Sequence, residues 1–411
     1  MSNFTRKKIG VLGHVFTGWG GGIDFLRLML SYLDEVELND KSFSKIIILP
    51  RDDVLVQIKN ATYPFRKFIK KVKEGKKLSW EKQPRFSASY LENTFTEYAK
   101  KNEIIFSGSF YKSQLKAAIN SGADIVFPCI VPPPIDFKLP WVGYLADFQH
   151  HHIPSFFSNK EISHRNIEFS RMLNSAKHII VYGKTVIKDA ELFYPGYTAK
   201  LHALPFTPCP EERWLLSNLD VRGLYGLKVP YFIISNQFWR HKDHTTAIRA
   251  FGEYCANGGE AQLVCTGGQW DYRFPGYFDD IKILISDLGL VNRVKMLGHI
   301  SKEHQISLLK NAIALVQPTL SEGAPGGGSC FDAISLGTPV ICTDIPINLE
   351  MNSGNVTFFR AGNYMHLAEM MLSKRIRDYK RETIEALIEK GVNQRIIAGS
   401  ALKKILYEAL G

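Results

Sequence analysis

Short apolar runs punctuate this chain in two sets, and stretches of helical periodicity separate many of them. The first set lies at 8–14, 45–50, 104–106, 124–130, 141–145, 178–181 and 201–204, the second at 231–234, 262–265, 294–297, 313–316, 339–342 and 356–359. Continuous rather than alternating apolar character is what strands buried on both faces need. Strands interleaved with helices, here at 23–33, 111–120, 162–174, 245–255 and 278–288, pair in parallel. Between the sets, 205–210 reads PFTPCP, with three prolines in six residues, and is expected to be a linker. The chain is therefore expected to be α/β, with two doubly wound parallel-sheet domains, as a length of 411 residues also suggests. The end, 393–410, reads as an amphipathic helix.

Within the second set, 319–350 reads TLSEGAPGGGSCFDAISLGTPVICTDIPINLE. Glu322 comes first, then Gly326, Gly327 and Gly328, and Ser329 is expected to open a helix containing Asp332. Gly337 and Pro339 close the helix ahead of the next strand. A glycine turn that feeds a helix start exposes unpaired N–H groups at the positive end of the helix dipole, which suits phosphate. A tight loop between two elements would look the same, but the flanking acids favour a site.

The formal net charge of +11 points to an anionic partner. One segment, 65–85, holds nine Lys or Arg against Glu74 and Glu81, interleaved with aromatic and aliphatic residues. It reads as a solvated face or as a patch for an anionic membrane surface or acceptor. Nucleic acid is not an expected partner, because no nucleic-acid motif accompanies the patch. The six cysteines form no CxxC pair and read as buried small hydrophobes in a reducing compartment. No apolar run is long enough to span a membrane and the N-terminus has no signal-peptide pattern, so the expected location is cytoplasmic, with peripheral contact on the inner membrane face as an extension.

Further chemistry-bearing residues follow strands, where open α/β sheets bind ligands. The first strand leads into a glycine loop with Gly20 and Gly21. Its spacing is not that of a dinucleotide site, which argues against a nicotinamide-dependent dehydrogenase. Asp147–Phe148–Gln149–His150 follows the strand at 141–145. SNQFWRHKDH, with Gln237 and Lys242, follows 231–234, and a lysine at a helix start can meet a diphosphate as a point charge. Gly298 and His299 follow 294–297, where backbone groups could read a base edge. The adjacent histidines 150–152 lack the usual spacing of metal arrays, and no metal is expected.

Together these residues resemble the retaining glycosyltransferases of the GT-B fold in the large family 4, or group 1. That family reads E-x7-E, then Ala, then G-x-P-V. Here Glu322 is followed by Asp332–Ala333 and Gly337–Thr338–Pro339–Val340, with a spacing two residues longer and an aspartate in place of the second glutamate. The family's G-R-x4-K-G corresponds to Gln237 in the arginine position and Lys242 in the lysine position. The resemblance implies a Rossmann-like acceptor-binding domain over 1–205, a nucleotide-sugar-binding domain over 206–392, and a helix at 393–411 packing back on the first domain. It also implies that Lys242 and the N–H groups of Gly327, Gly328 and Ser329 meet the diphosphate. Asp332 would hold the ribose, Glu322 the donor sugar, and His150 would lie near the sugar from the opposite domain, without metal or cofactor. The implied partners are a nucleotide sugar and a saccharide or lipid-linked acceptor, as in surface polysaccharide synthesis. A nucleotide-sugar 2-epimerase or hydrolase, or a non-catalytic nucleotide-sugar-binding protein, would share the architecture.

Overall fold

The computed structural model describes residues 6–18, 20–51, 88–99 and 103–411. The lysine-rich segment 65–85 lies outside the described residues. The first sheet has seven parallel strands: β1 (Lys7–Leu12), β2 (Phe43–Arg51), β3 (Glu103–Gly108), β4 (Ile125–Cys129), β5 (Trp141–Tyr144), β6 (His178–Val181) and β7 (Lys200–Ala203). Their spatial order is β3-β2-β1-β4-β5-β6-β7. The second has six: β8 (Tyr231–Ser235), β9 (Gln262–Thr266), β10 (Val294–Gly298), β11 (Leu315–Gln317), β12 (Val340–Thr343) and β13 (Val356–Phe359), in the order β10-β9-β8-β11-β12-β13. All pairings are parallel.

In each sheet the strand order reverses once, between β1 and β4 and between β8 and β11. The segments after β1, β8 and β11 therefore leave from switch points, where such sheets open a crevice. These are the segments that carry the glycine run 20–22, Lys242 and Glu322.

The glycine run after β1 is not an open loop. It forms the first turn of the helix Gly20–Asn39, which follows a 3₁₀ turn at Phe16–Gly18. A Cβ on Gly22 would sit 2.1 Å from the carbonyl oxygen of Phe16, so the helix can start this close to the turn only with glycine there.

The C-terminal helix spans Ile384–Leu410, with Thr383 accepting from the Ala386 N–H at its start. It begins before residue 393, where the sequence pattern starts it, and runs through Gly391. Gly391 is there because Pro210 of the linker lies 3.0 Å from where its Cβ would be. Beyond it, Ala398, Leu402, Ile405 and Leu406 are buried in the core of the first domain, and Arg395 pairs with Glu35 at 2.8 Å. Lys403 pairs with Asp40, and Lys200 with Glu408 at 2.6 Å. A Cβ on Gly399 would meet the Tyr32 carbonyl oxygen at 2.2 Å and Val36 Cγ2 at 2.5 Å, so this helix touches the helix Gly20–Asn39 nearly backbone to backbone.

Gly399→Leu is expected to force the two helices apart, at a cost of about 1–3 kcal/mol from overpacking. A thermal melt should show the midpoint falling by several degrees. An unchanged midpoint would mean that the contact is not made.

Candidate active site

The site is built around the end of β11. Gln317, its last residue, is wholly buried and polar. Its Nε2 donates to Glu322 Oε1 at 3.0 Å and to the Gly326 carbonyl at 2.7 Å, and its Oε1 accepts from Asn236 Nδ2. The amide thereby fixes the segment 318–326 at both ends. Glu322 also pairs with Lys242 Nζ, and both side chains are largely buried. Lys242 closes a 3₁₀ turn, Arg240–Lys242, ahead of the helix His244–Ala256, whose N-cap Asp243 takes a left-handed conformation and accepts from Thr246 N–H. Thr319 and Leu320 bind this turn through the His241 carbonyl.

The glycines follow. Gly326 has φ of +67° and Gly327 of +68°. A Cβ on Gly326 would lie 2.4 Å from Cys330 Cβ, and one on Gly327 would lie 3.0 Å from Glu322 Oε2, so left-handed backbone and close packing both demand glycine. The helix starts at Gly327, two residues before Ser329. The N–H of Gly326 donates to Asn348 Oδ1 and that of Gly327 to the Ala324 carbonyl. The Gly327 N–H, expected to meet a diphosphate, is thus already used. Those of Gly328 and Ser329 have no protein acceptor among the described residues, and the buried Ser329 hydroxyl also lacks a partner. Two orphan N–H groups and an orphan hydroxyl at a helix start form an anion-binding corner.

Gly328 of this corner borders a cleft of about 980 Å³ between the domains, whereas Ser329 and Lys242 lie behind the cleft surface. Glu322, Gly327, Gly328 and Asp332 line one wall, and Gly21, Asp24, Ala146, Asp147 and Arg165 the other. The walls touch where Gly323 meets the Ala146 carbonyl, which a Cβ would approach to 2.6 Å. Arg165 lies 3.6 Å from Asp147 Oδ1 and stacks over Phe157. Aromatic rings of Phe16, Phe25, Tyr144 and Tyr182 also line the cleft on the first domain's side.

Not every expected residue reaches the cleft. His150 is buried, with Nε2 3.0 Å from Asn166 Oδ1 and its ring edge-on to Phe169. Burial holds it neutral, pushing its pKa down to about 4. Its place is beneath the wall that Asp147 lines, because the short helix Gln149–His152 turns the ring toward Asn166. Gly20 borders no cleft surface, whereas Gly21 does. Gly298, with φ of +67°, accepts from Gly267 N–H at the end of β10, and His299 is exposed beyond it. Gln237 is half-buried beside Phe238, in a turn that accepts no side chain from Gly267, where a Cβ would come within 2.1 Å of the Asn236 carbonyl. No neighbour of Gln237 replaces the family arginine. Asn236 serves Gln317, burial with Lys242 nearby pushes His241 down to about 2, and the Arg240 guanidinium lies over Phe274.

Asp332 lines the cleft but is already paired. Lys302 Nζ lies 2.6 Å from Asp332 Oδ2 and 2.8 Å from Asp24 Oδ2 of the first domain. Burial pushes the Asp332 carboxyl up to about 6, partly offset by the Lys302 ammonium. Lys302, Gln317, Asn348 and Arg165 are not marked by any motif. A polar residue closing an apolar strand, as Gln317 does, is the one signal that sequence offers. The interdomain carboxylate Glu350, in the 3₁₀ turn Asn348–Glu350, is likewise unmarked by any motif. It accepts from the N–H groups of Lys184 and Thr185 at 2.8 and 2.6 Å, capping the first domain's helix Lys184–Phe193 from the second domain. Among the described residues, one group has metal-ligand types in reach of one another: His178, His202 and Glu408, with ligand atoms within 4.8 Å. It lies outside the cleft, and Lys200 occupies Glu408.

Two doubly wound domains facing each other across a cleft define the GT-B class of fold. Residues 224–391 match the family model described as glycosyl transferases group 1, and the second domain belongs to that family. Solved structures match the whole chain. A glycosyltransferase from Rickettsia africae is 14% identical, with 99% of each chain covered and a TM-score of 0.58. Anabaena HepE in complex with UDP-glucose is 14% identical, with 98% of each chain covered and a TM-score of 0.58. The lipopolysaccharide outer core galactosyltransferase WaaB, in its apo form, is 15% identical, covering 98% of this chain and 99% of its own, with a TM-score of 0.53. No helix among the described residues is long and apolar enough to cross a membrane.

Glu350→Ala is expected to leave two N–H groups uncapped at the domain junction, a loss of about 0.5–2 kcal/mol. Hydrogen exchange at Lys184 and Thr185 should accelerate. Unchanged exchange there would refute the cap.

Proposed function

We propose that this glycosyltransferase moves a sugar from a nucleoside diphosphate sugar to a saccharide or lipid-linked acceptor with retention of anomeric configuration and without metal. The observation that carries the reading is the corner where Lys242 and Glu322 stand beside the unpaired N–H groups of Gly328 and Ser329. A cation and oriented donors at one place suit a diphosphate whose charge grows as the bond to the sugar breaks. Donors held in position before reaction stabilise that charge more in the transition state than in the ground state.

Each group then has a task. Lys242 and the N–H groups of Gly328 and Ser329 receive the diphosphate. Arg165 supplies a second cation from the first domain's wall of the cleft, while Gln237, in the family arginine position of the second domain, borders no cleft surface. Glu322, kept in place by Gln317, accepts from sugar hydroxyls. The bond from C1 of the sugar to the phosphate oxygen breaks, and the acceptor oxygen bonds C1 on the same face. The acceptor's proton passes to the departing diphosphate oxygen, so no side chain has to act as base. His150 acts by shaping the loop that carries Asp147, from beneath the wall. The aromatic rings of the first domain offer flat apolar faces to a sugar acceptor. That HepE was solved with UDP-glucose and WaaB is a galactosyltransferase of the lipopolysaccharide core supports a hexose donor and a surface-glycan acceptor. Location at the inner membrane face belongs to the same proposal.

Lys242→Ala is expected to lower kcat by about 10²–10³-fold, the usual effect of losing one such donor, while circular dichroism stays that of a folded chain. NMR of the product should show the donor's anomeric configuration. Turnover at the wild-type rate in the variant would remove Lys242 from the diphosphate site, and an inverted product would overturn retention.

A further inference from the structure

Lys302 is the first residue of the helix Lys302–Asn311, a short way beyond Gly298 and His299. Its ammonium is largely buried and shared by two carboxylates on different elements. Asp24 stands in the first turns of the helix Gly20–Asn39, just after the glycine run, and Asp332 stands in the helix that starts at Gly327. One cation thus ties together the segment after β1, the segment after β10 and the helix at the anion corner. These are the three segments from which a nucleotide site in this cleft would be assembled.

The pairing is asymmetric. Lys302 takes only Oδ2 of Asp332. Asp332 Oδ1 has no protein partner among the described residues, and Asp332 lines the cleft. A carboxylate pinned through one oxygen cannot rotate freely, so its other oxygen is aimed. Around the triad, Trp214 lies under both Lys302, at 5.2 Å, and Arg27, at 5.8 Å, and Arg27 is paired with Glu211. The charged groups facing Asp332 are therefore Lys302, Asp24 and, further off, the Arg27–Glu211 pair.

We propose that Lys302 is a positioning residue for the donor nucleotide: it holds Asp332 so that the free oxygen accepts from a ribose hydroxyl, and through Asp24 it makes this arrangement depend on the two domains being closed. The proposal rests on the function set out above. It explains how an aspartate can serve where the related enzymes have a longer glutamate: the lysine and the adjoining domain fix the shorter side chain in place. Asp332 has to be ionised to accept well, so nucleotide binding weakens as pH falls through about 6. Removing the ammonium raises the Asp332 pKa and moves this acid limb to higher pH. Removing the Asp24 charge lowers it and moves the limb to lower pH.

The test is isothermal titration of UDP and GDP, each beside its 2′,3′-dideoxy form, against the full chain from pH 5 to 8. The wild type should favour the ribose form of its preferred nucleotide by about tenfold, the worth of a hydrogen bond to a charged group. Lys302→Met should lose this discrimination and shift the acid limb upward, and Lys302→Arg should restore both. Asp24→Asn, which keeps the Lys302–Asp332 pair and so serves if Lys302→Met fails to fold, should retain discrimination and shift the limb downward. Opposite shifts would not arise from a purely structural role. A wild type that binds none of UDP, GDP, TDP and CDP would overturn the proposed function and this inference with it. A wild type that binds, with Asp24→Asn leaving the limb in place or Lys302→Met leaving discrimination intact, would overturn the inference alone.

Discussion

Charge placed between two closely packed domains has to be paired, and the cleft of this protein is organised by that requirement. Lys242 and Glu322 are both largely removed from water. Deleting one partner of such a pair leaves the other exposed to the full cost of desolvation, about 3–5 kcal/mol where it has been measured in other proteins. The pair therefore dictates its surroundings. Gln317 must be an amide at the end of an apolar strand, because it steadies Glu322 and spans to the Gly326 carbonyl. Gly327 must lack a side chain, because Glu322 lies against it. The backbone that satisfies these demands leaves the N–H groups of Gly328 and Ser329 unpaired at the wall that Gly328 lines, so pairing the charges and building an anion site come from one arrangement.

The second wall is held by a different set of interactions. The C-terminal helix leaves the second domain at Thr383 and ends in the core of the first. Glu350 caps a helix of the first domain, and Lys302 shares its ammonium across the cleft. The C-terminal helix adds an apolar contact through Ala398, Leu402, Ile405 and Leu406, whereas the contacts of Glu350 and Lys302 across the cleft are polar. Domains joined through such contacts can move relative to each other with modest loss, which suits a cleft that must admit a substrate and release a product.

Much of the fold was legible because parallel strands buried on both faces must be written as continuous apolar runs. All thirteen strands among the described residues fall on runs marked in the sequence, and the helix Tyr111–Asn120 has the bounds its periodicity gives. The misreadings came from glycine. The run at 20–22 looked like a loop and is a helix start, and the C-terminal helix begins at Ile384 rather than at 393, running through Gly391 where Pro210 comes close. Local propensity favours a loop or a break at both, and tertiary packing overrides it. In the site, Glu322, Lys242 and the glycines are brought together as their spacing suggests. His150 is turned toward Asn166, a direction that depends on a four-residue helix no pattern marks. Lys302 could not be found in sequence, because its partners are 278 and 30 residues away in the chain.

The central claim is that a nucleoside diphosphate binds where Lys242 meets the start of the helix at Gly327. The most direct measurement is a crystal structure of the chain with the diphosphate it binds best, chosen from UDP, GDP, TDP and CDP by thermal shift. The expected result is phosphate oxygens within hydrogen-bond distance of the Gly328 and Ser329 N–H groups and of Lys242 Nζ. A diphosphate bound with none of these in reach, for example in the groove beside His151 and Asn166, would contradict it.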